Sequence, residues 1–335
     1  MTPKNVILAY GAGGIGKSRL LSTAAAWMWK TQGKKTRIVN ADGGGTEKAF
    51  QPLIERGIAE IWNVDQWDEK SYFVALDQAC LGYWPENVLA PNCPLVPGGK
   101  VVRLCNVCGK DSGAGPLTLV VAQCAACKAV FPKGTVLEAM LQPINGMEEV
   151  GFVGFEGMTA FGNLLLNSLR KGQADGRYQV KVDGFVATGL GQADWGLAQM
   201  YISQMVASSR RIPTELVMWT ALESRGEDEG KPLYGPKGPG KALTSVCIPW
   251  FTDVLHLDAF PQRNAQGMVQ RDASGVELLD RKMFLAAHFP PDNPLHKFAA
   301  KTSSPEMPPV MKPDMREYFK ELEGAFDKAA KLLLE

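Results

Sequence analysis

The sequence predicts an α/β fold with a mainly parallel central sheet, and three observations support this prediction. A glycine-rich motif lies between the first apolar run and the first helical pattern, strand-like and helix-like segments then alternate, and later apolar runs end in polar residues. Such alternation is typical of parallel strands joined by right-handed crossovers. The chain has 335 residues and a net charge of +1, so it can build a large core and has no overall charge that indicates nucleic acid or a membrane as partner.

The glycine-rich motif, Gly11–Ser18, reads Gly-x-x-x-x-Gly-Lys-Ser and follows an apolar strand pattern. A helical pattern from Ser18 to Lys30 completes the strand, loop and helix that a phosphate-binding loop requires. In such a loop Lys17 would reach the β- and γ-phosphates of ATP, and the Ser18 hydroxyl would bind Mg²⁺. The alternative is a glycine-rich turn with a chance Lys-Ser pair. The predicted nucleotide-binding residues are Gly11, Gly13, Gly14, Ile15, Gly16, Lys17, Ser18 and Arg19.

Three later strand patterns end in polar residues that would lie near the phosphates. Asp42 ends the second strand and would either orient the attacking water or act as a cap or turn residue. Glu156 ends a buried strand and is our candidate ligand for Mg²⁺, the alternative being an edge glutamate beside a turn. Thr220 or Glu223, at the end of another buried strand, would sense the γ-phosphate.

Four cysteines form two Cys-x-x-Cys pairs, Cys105 with Cys108 and Cys124 with Cys127, separated by fifteen residues. This spacing predicts a four-thiolate structural zinc site, because each pair places two sulfurs on one ion and no ligand position stays open for catalysis. We interpret residues 88–133 as an inserted zinc ribbon that includes strands at 101–104 and 117–121. The remaining cysteines, Cys80, Cys93 and Cys247, are expected to be core residues or, for Cys93, a spare thiol.

The segment after the zinc module completes the predicted fold. Residues 134–141 are expected to form a helix, and residues 224–241, rich in glycine and charge, a mobile loop beside the nucleotide site. Lys241 would contact the phosphates of a neighbouring subunit, as an arginine finger does, or remain a solvated lysine. Runs at 246–257 and 277–288 predict an antiparallel hairpin at the sheet edge, and we expect no internal repeat.

The predicted domain organisation has four parts. An ATPase core covers 1–87 and 134–300, the zinc ribbon 88–133, a proline-rich linker 301–313, and an amphipathic helix 314–335 that docks on its own domain or on a partner. No apolar run is long enough to cross a membrane, and the N-terminal residues lead straight into the first strand, so we expect no signal peptide and a cytoplasmic protein.

The ordered set of motifs resembles the RecA-like ATPases, and within them the phage-encoded group that includes single-strand annealing recombinases. The resemblance covers most of residues 5–290, without the zinc module and the tail. By this resemblance Asp42 would be the catalytic acid, residues 224–240 would contact DNA, and Lys241 would act in trans in a ring or filament. The matching segments are Gly11–Ser18, Ile38–Asp42, Phe155–Thr159, Trp219–Glu223, Gly238–Thr244 and Trp250–His256.

Three functions are compatible with these motifs. The first is an ATPase that assembles on single-stranded DNA and acts in phage recombination or replication, in the host cytoplasm. The second is a nucleotide-dependent assembly or adaptor protein whose zinc ribbon and C-terminal helix bind protein partners. The third, a kinase, would need an arginine-rich lid, and Arg210-Arg211 is the one pair of adjacent arginines. Salt-sensitive DNA binding separates the first two, and product analysis separates the third.

Overall fold

The structure is a computed structural model. It describes residues 5–334 apart from 44, 64–98, 111, 114–121, 136, 138, 144–148, 173–178, 183–184, 189, 211, 213, 229–230, 241–242 and 289–296. The described strands are β1 Asn5–Gly11, β2 Lys35–Asn40, β3 Ala59–Asn63, β4 Gly99–Arg103, β5 Ala139–Pro143, β6 Val150–Glu156, β7 Gln179–Val182, β8 Phe185–Thr188, β9 Leu216–Asp228, β10 Lys231–Pro236, β11 Asp253–Pro261, β12 Leu279–Phe284, β13 Lys297–Phe298 and β14 Val310–Met311. The described α-helices are α1 Lys17–Gln32, α2 Thr46–Ile54, α3 Met158–Gly172, α4 Gln192–Ser209, α5 Leu243–Val246 and α6 Met315–Leu334.

The central sheet has the strand order β14-β12-β11-β1-β9-β6-β2-β3. The six strands from β11 to β3 are parallel, and β12 and β14 add an antiparallel edge beyond β11. The predicted α/β fold class is therefore confirmed: a mainly parallel central sheet with an antiparallel edge hairpin, a module with four cysteines and a C-terminal helix. Because β9 lies between β1 and β6, the phosphate-loop strand and the strand ending in Glu156 are two positions apart in the sheet.

The sheet separates two apolar cores, and β1 shows how the sequence fills both. Val6, Leu8 and Tyr10 are buried on the side of α3 and α4, whereas Ile7 and Ala9 are buried on the side of α1 and α6. Successive side chains of a strand point to opposite faces, so a strand covered on both faces is apolar throughout. This two-sided burial fixes the carboxyl end of β1, from which the phosphate loop begins.

The C-terminal helix α6 packs on its own domain. Phe319 stacks on Trp27 of α1 with ring centroids 4.2 Å apart, and the backbone N–H of Met315 donates to Thr23 Oγ1 at 2.9 Å. The first half of α6 thus packs against α1, which decides between the two docking alternatives. None of the helices in the described part of the chain is both long and apolar enough to cross a membrane.

Three predicted elements are wrong. Instead of ending the helix predicted at 134–141, residues 139–141 belong to β5, which pairs with β4. The mobile loop expected at 224–241 is largely a hairpin, because β9 continues past the sheet and pairs with β10 through backbone bonds that its charged side chains do not prevent. The strand expected from Val246 begins only at Asp253, after α5 and a short 3₁₀ turn. The strand predicted at 117–121 lies outside the described residues.

The expectation of no internal repeat is also wrong. Residues 263–270 and 271–278 share the pattern Arg-Asx-Ala-x-Gly-x-x-x and the same turn. The Asn264 side chain accepts hydrogen bonds from the backbone of Gln266 and Met268, and Asp272 does the same for Ser274 and Val276. Side-chain acceptors of this kind mimic a backbone turn, so two tight turns connect β11 to β12.

Candidate functional site: a phosphate loop with three acids

The phosphate loop has the backbone that its glycines permit. Gly16 has a φ of 109°, in the left-handed region, and precedes α1 without a side-chain cap, so the first N–H groups of the helix have no side-chain acceptor there. A Cβ on Gly11 would lie 2.4 Å from the Leu257 carbonyl oxygen, so only glycine fits beside β11. Ile15 anchors the loop in the core next to α1. This helix N-terminus suits a phosphate group.

Lys17 lies inside the loop that it follows. Its Nζ atom donates to the carbonyl oxygens of Gly11 at 3.0 Å and Ala12 at 2.7 Å, and the residue is buried. Burial lowers the pKa of Lys17, whereas the charges of Asp42 and Glu156 oppose this change. Both acids are therefore near enough to the lysine to act on it, and the ammonium group is confined to the inside of the loop, where a phosphate would bind.

Ser18 and Glu156 meet at the start of α1. The Ser18 hydroxyl donates to Glu156 Oε1 at 2.8 Å, and Glu156 is only 1% exposed at the end of β6. Its second oxygen, Oε2, is buried and has no partner among the described residues. Burial raises the pKa of Glu156 to about 7, with the charge of Asp42 adding to the rise and Ser18 and Lys17 opposing it. A bound Mg²⁺ would supply the positive charge that this carboxylate lacks, and Oε2 could serve as one of its oxygen ligands.

Asp42 is exposed and lies beside the strand that ends in Glu156. A Cβ on Gly157 would be 3.0 Å from the Asp42 Cβ, so the two strand ends are in contact. Asp42 is not a helix cap, because Gly45 precedes α2. The Asn40 side chain instead accepts a hydrogen bond from the Asp42 backbone N–H at 3.1 Å and shapes the turn. The structure thus brings Asp42 to the phosphate side of the sheet with its carboxylate exposed.

The end of β9 is tied to the start of α3. Thr220 is fully buried, and its Oγ1 accepts a hydrogen bond from the Gly157 backbone N–H at 2.9 Å. Thr159 Oγ1 accepts from the Leu222 N–H at 3.0 Å and donates to the Lys237 carbonyl at 2.8 Å. These bonds fix the base of the β9–β10 hairpin next to Glu156. Thr220 therefore orders the strand ends rather than pointing a free hydroxyl at the nucleotide.

Two groups near the loop were not predicted as site residues from the sequence. His256 lies on β11, and its Nε2 is 3.0 Å from Glu223 Oε2. Arg281 on β12 lies beside the loop, with its Cδ 4.0 Å from where a Gly16 Cβ would be. No local pattern reveals their contacts, because only the pairing of β11 with β1 and β12 brings them to this edge. Of the predicted residues, Arg19 is exposed on α1, and Lys241 lies outside the described residues.

The four predicted cysteines come together. The Sγ atoms of Cys105, Cys108, Cys124 and Cys127 lie within 4.8 Å of one another. The Cys105–Cys127 and Cys108–Cys124 sulfurs are 3.7 and 3.9 Å apart. Four sulfurs at about 2.3 Å from a tetrahedral zinc ion would be about 3.8 Å from each other. The sulfurs therefore fit a single metal ion.

The two cysteine pairs have the same backbone fold. Gly109 N–H donates to the Cys105 carbonyl at 2.8 Å, and Lys128 N–H donates to the Cys124 carbonyl at 2.9 Å. Gly109 and Lys128 have φ values of 68° and 62°, and Lys128 is the one non-glycine residue with positive φ in the described part of the chain. A left-handed lysine is costly, so the surrounding site must hold it in place. Two matching tight turns are what a four-thiolate site requires.

The comparisons with known proteins leave the family open. No protein-family model and no curated protein sequence matches the chain. Among solved structures, a KaiC-like protein from the archaeon Pyrococcus horikoshii is similar at 6% identity and a TM-score of 0.35, with 86% of this chain and 87% of that chain covered. The flagellar accessory protein FlaH from Methanocaldococcus jannaschii is similar at 11% identity and a TM-score of 0.34, with 84% and 77% covered. The function therefore has to be argued from the site itself.

Proposed function

We propose that this protein binds Mg²⁺ and ATP and hydrolyses the ATP. The observation that carries the proposal is the contact between Ser18 and Glu156 at 2.8 Å, directly behind a phosphate loop that holds Lys17. A hydroxyl and a carboxylate at this point are oxygen ligands for Mg²⁺, directly or through water. Lys17 would leave its loop carbonyls to bind the β- and γ-phosphates, exchanging neutral acceptors for charged ones.

Hydrolysis needs an acid near the γ-phosphate, and Asp42 is our candidate. Its carboxylate is exposed beside Glu156, so it can accept a proton from a water molecule, whereas Glu156 is engaged by Ser18. Mg²⁺, when bound, would neutralise charge that develops on the phosphates. Lys241 keeps its proposed role in trans, as a lysine that would contact the phosphates in a homo-oligomeric ring or filament.

We further propose that the ATPase acts on single-stranded DNA in phage recombination or replication, in the host cytoplasm. Support comes from the resemblance in the sequence and from the hairpin of β9 and β10, which begins beside the nucleotide site. A rigid hairpin that shares a strand with the site can transmit a change at the γ-phosphate to a bound polymer. The alternative, a nucleotide-dependent assembly protein, is tested by the same experiment.

The experiment is ATP turnover with and without single-stranded DNA, at low and high salt. We expect DNA to stimulate turnover at low salt and to lose this effect at high salt, because phosphate contacts weaken as salt rises. Lys17→Ala should abolish nucleotide binding and turnover, while the midpoint temperature of thermal unfolding stays that of the wild type. Turnover in this variant equal to that of the wild type would refute the site. Turnover that is indifferent to DNA would favour the assembly protein.

The cysteine cluster is proposed to hold one zinc ion with a structural role. The fit of the sulfur spacing to a tetrahedron supports zinc, and four cysteine ligands leave no open position for a substrate. Such a site adds stability to a small module with little core of its own, because the ion bound in the folded state contributes folding free energy. The module is also a candidate surface for a protein partner. Free thiolates of this kind suit a reducing compartment such as the cytoplasm.

A further inference from the structure

Three carboxylates lie at the ends of three neighbouring strands, and they differ in how they are held. Asp42 follows β2, Glu156 ends β6, and Glu223 lies in β9 at the point where that strand leaves the sheet. Glu156 is engaged by the Ser18 hydroxyl, and Asp42 is exposed. Glu223 contacts a buried side chain of a neighbouring part of the sheet. Neither the metal site nor the phosphate loop requires this contact.

The holding group is His256, which belongs to β11. Its Nε2 lies 3.0 Å from Glu223 Oε2, and an ionised carboxylate only accepts, so the imidazole donates this bond. The His256 side chain is 0% exposed, and its Nδ1 has no hydrogen-bond partner among the described residues. Glu223 is therefore the acceptor to which this ring is directed. The glutamate itself is 25% exposed, so part of its carboxylate remains open.

His256 cannot turn away from Glu223 without disturbing the core. The ring packs between Tyr10, with centroids 4.8 Å apart, and Phe298, with centroids 4.2 Å apart. The Tyr10 hydroxyl is fixed in turn by a 2.7 Å hydrogen bond to the Ala299 carbonyl. A ring packed in this way has one orientation, and it gives the Glu223 carboxylate one preferred position.

The preferred position is next to the phosphate loop. In the sheet, Leu222 lies opposite Gly11, so Glu223 is one residue beyond the point where the loop leaves β1. The charge of Glu223 also acts on Lys17, which it helps to keep protonated against burial. Asp42 lies on the other side of Glu156, so the two acids face the same phosphate region from different strands.

We propose that Glu223 is a catalytic residue that orients the water attacking the γ-phosphate, and that His256 is the positioning residue that fixes Glu223. This inference rests on the proposed ATPase function. The water would donate one hydrogen bond to the Glu223 carboxylate. Its other proton would pass to Asp42 as the water oxygen forms its bond to phosphorus. The bond from phosphorus to the bridging oxygen breaks, ADP leaves with that electron pair, and Asp42 returns the proton to solvent.

The pair has a consequence for catalysis that a structural histidine does not have. Orienting a water lowers the barrier only when the carboxylate is already in place, and such positioned groups are worth about 100-fold or more in rate. Ground-state binding of ADP uses the phosphate loop and not Glu223. Loss of the pair should therefore reduce kcat and leave the affinity for ADP nearly unchanged.

The test uses Glu223→Gln, His256→Leu and His256→Gln in the full-length protein. His256→Gln keeps an N–H donor near the position of Nε2, whereas His256→Leu removes it. We expect kcat to fall by about 100-fold or more in Glu223→Gln and His256→Leu, with the Kd for ADP within about twofold, and to recover partly in His256→Gln. Glu277→Gln, an exposed acid on the turn before β12, is the matched control and should hydrolyse ATP like the wild type.

A second measurement covers slow turnover or a variant that folds poorly. ADP with aluminium fluoride mimics the transition state in which the γ-phosphate is transferred. The wild type should therefore bind it more tightly than ADP, and Glu223→Gln should lose most of this preference. The inference is overturned if Glu223→Gln keeps both kcat and this preference, or if His256→Leu folds and behaves like the wild type. A wild type that binds no ATP would instead refute the proposed function.

Discussion

Replacing Glu156 by glutamine should change how the stability of the protein depends on pH. In the folded protein, burial raises the pKa of Glu156 from its ordinary 4.5 to about 7. Between these two values the folded protein holds a proton that the unfolded chain has lost. Stability is therefore highest at the acidic end of this window and falls as the pH rises through it.

The magnitude follows from the size of this change. Each pH unit between the two pKa values corresponds to about 1.4 kcal/mol, so ionised Glu156 costs the fold at most about 3.5 kcal/mol above pH 7. Glutamine cannot ionise, and its side-chain oxygen can still accept the hydrogen bond from Ser18. Glu156→Gln should therefore lack this part of the decline in the free energy of unfolding. Without nucleotide, it should lose less stability than the wild type when the pH rises to 8.

The assay is urea denaturation at pH 5 and pH 8 without Mg²⁺. The wild type should lose up to about 3 kcal/mol more between these pH values than Glu156→Gln, and the control Glu277→Gln should follow the wild type. Adding Mg²⁺ should reduce the loss in the wild type and in Glu277→Gln but not in Glu156→Gln, because a bound cation stabilises the ionised carboxylate. The reasoning is refuted if wild type and Glu156→Gln lose the same stability over this range.

Two further predictions concern the cysteine module and the C-terminal helix. The protein purified under reducing conditions without chelators should carry about one zinc ion by elemental analysis. Replacing Cys105 and Cys124 by serine should remove the ion, whereas Cys247→Ala should keep it, and a wild type without metal would contradict the site. Phe319→Ala should cost about 3–5 kcal/mol in urea denaturation, because its buried ring stacks on Trp27. Phe326→Ala, at an exposed position of the same helix, should cost less than about 0.5 kcal/mol, and equal losses in the two variants would show that α6 does not pack as described.

The core of the candidate site could be predicted because its parts follow from local patterns and one rule of topology. Gly11–Ser18 is a motif with its own strand and helix, and Asp42 and Glu156 each follow an apolar strand. Parallel strands bring their carboxyl ends to one edge, so these acids had to lie near the loop. The cysteine pairs could be predicted for the same reason, since their spacing alone specifies the chemistry.

The rest depends on tertiary pairing or on a pattern too short to predict structure. The contact of His256 with Glu223 arises because β11 and β9 lie on the two sides of β1 in the sheet. No local sequence pattern reveals this arrangement. The β9–β10 hairpin was predicted as a loop because its composition is polar, although strand pairing there uses backbone groups. The repeat at 263–278 was visible in the sequence, as an Arg-Asx-Ala-x-Gly pattern that recurs after eight residues. Two copies do not predict a repeat architecture, which needs at least three units to bury a core.

The most direct test of the central claim is a calorimetric titration of ATP into the protein, with and without Mg²⁺, for the wild type and Lys17→Ala. The claim is that Lys17, Ser18 and Glu156 form one site for Mg²⁺ and ATP. We therefore expect binding near one ATP per chain that strengthens with Mg²⁺ in the wild type, and no binding in Lys17→Ala. Equal ATP binding by both proteins, or wild-type binding that ignores Mg²⁺, would contradict the account.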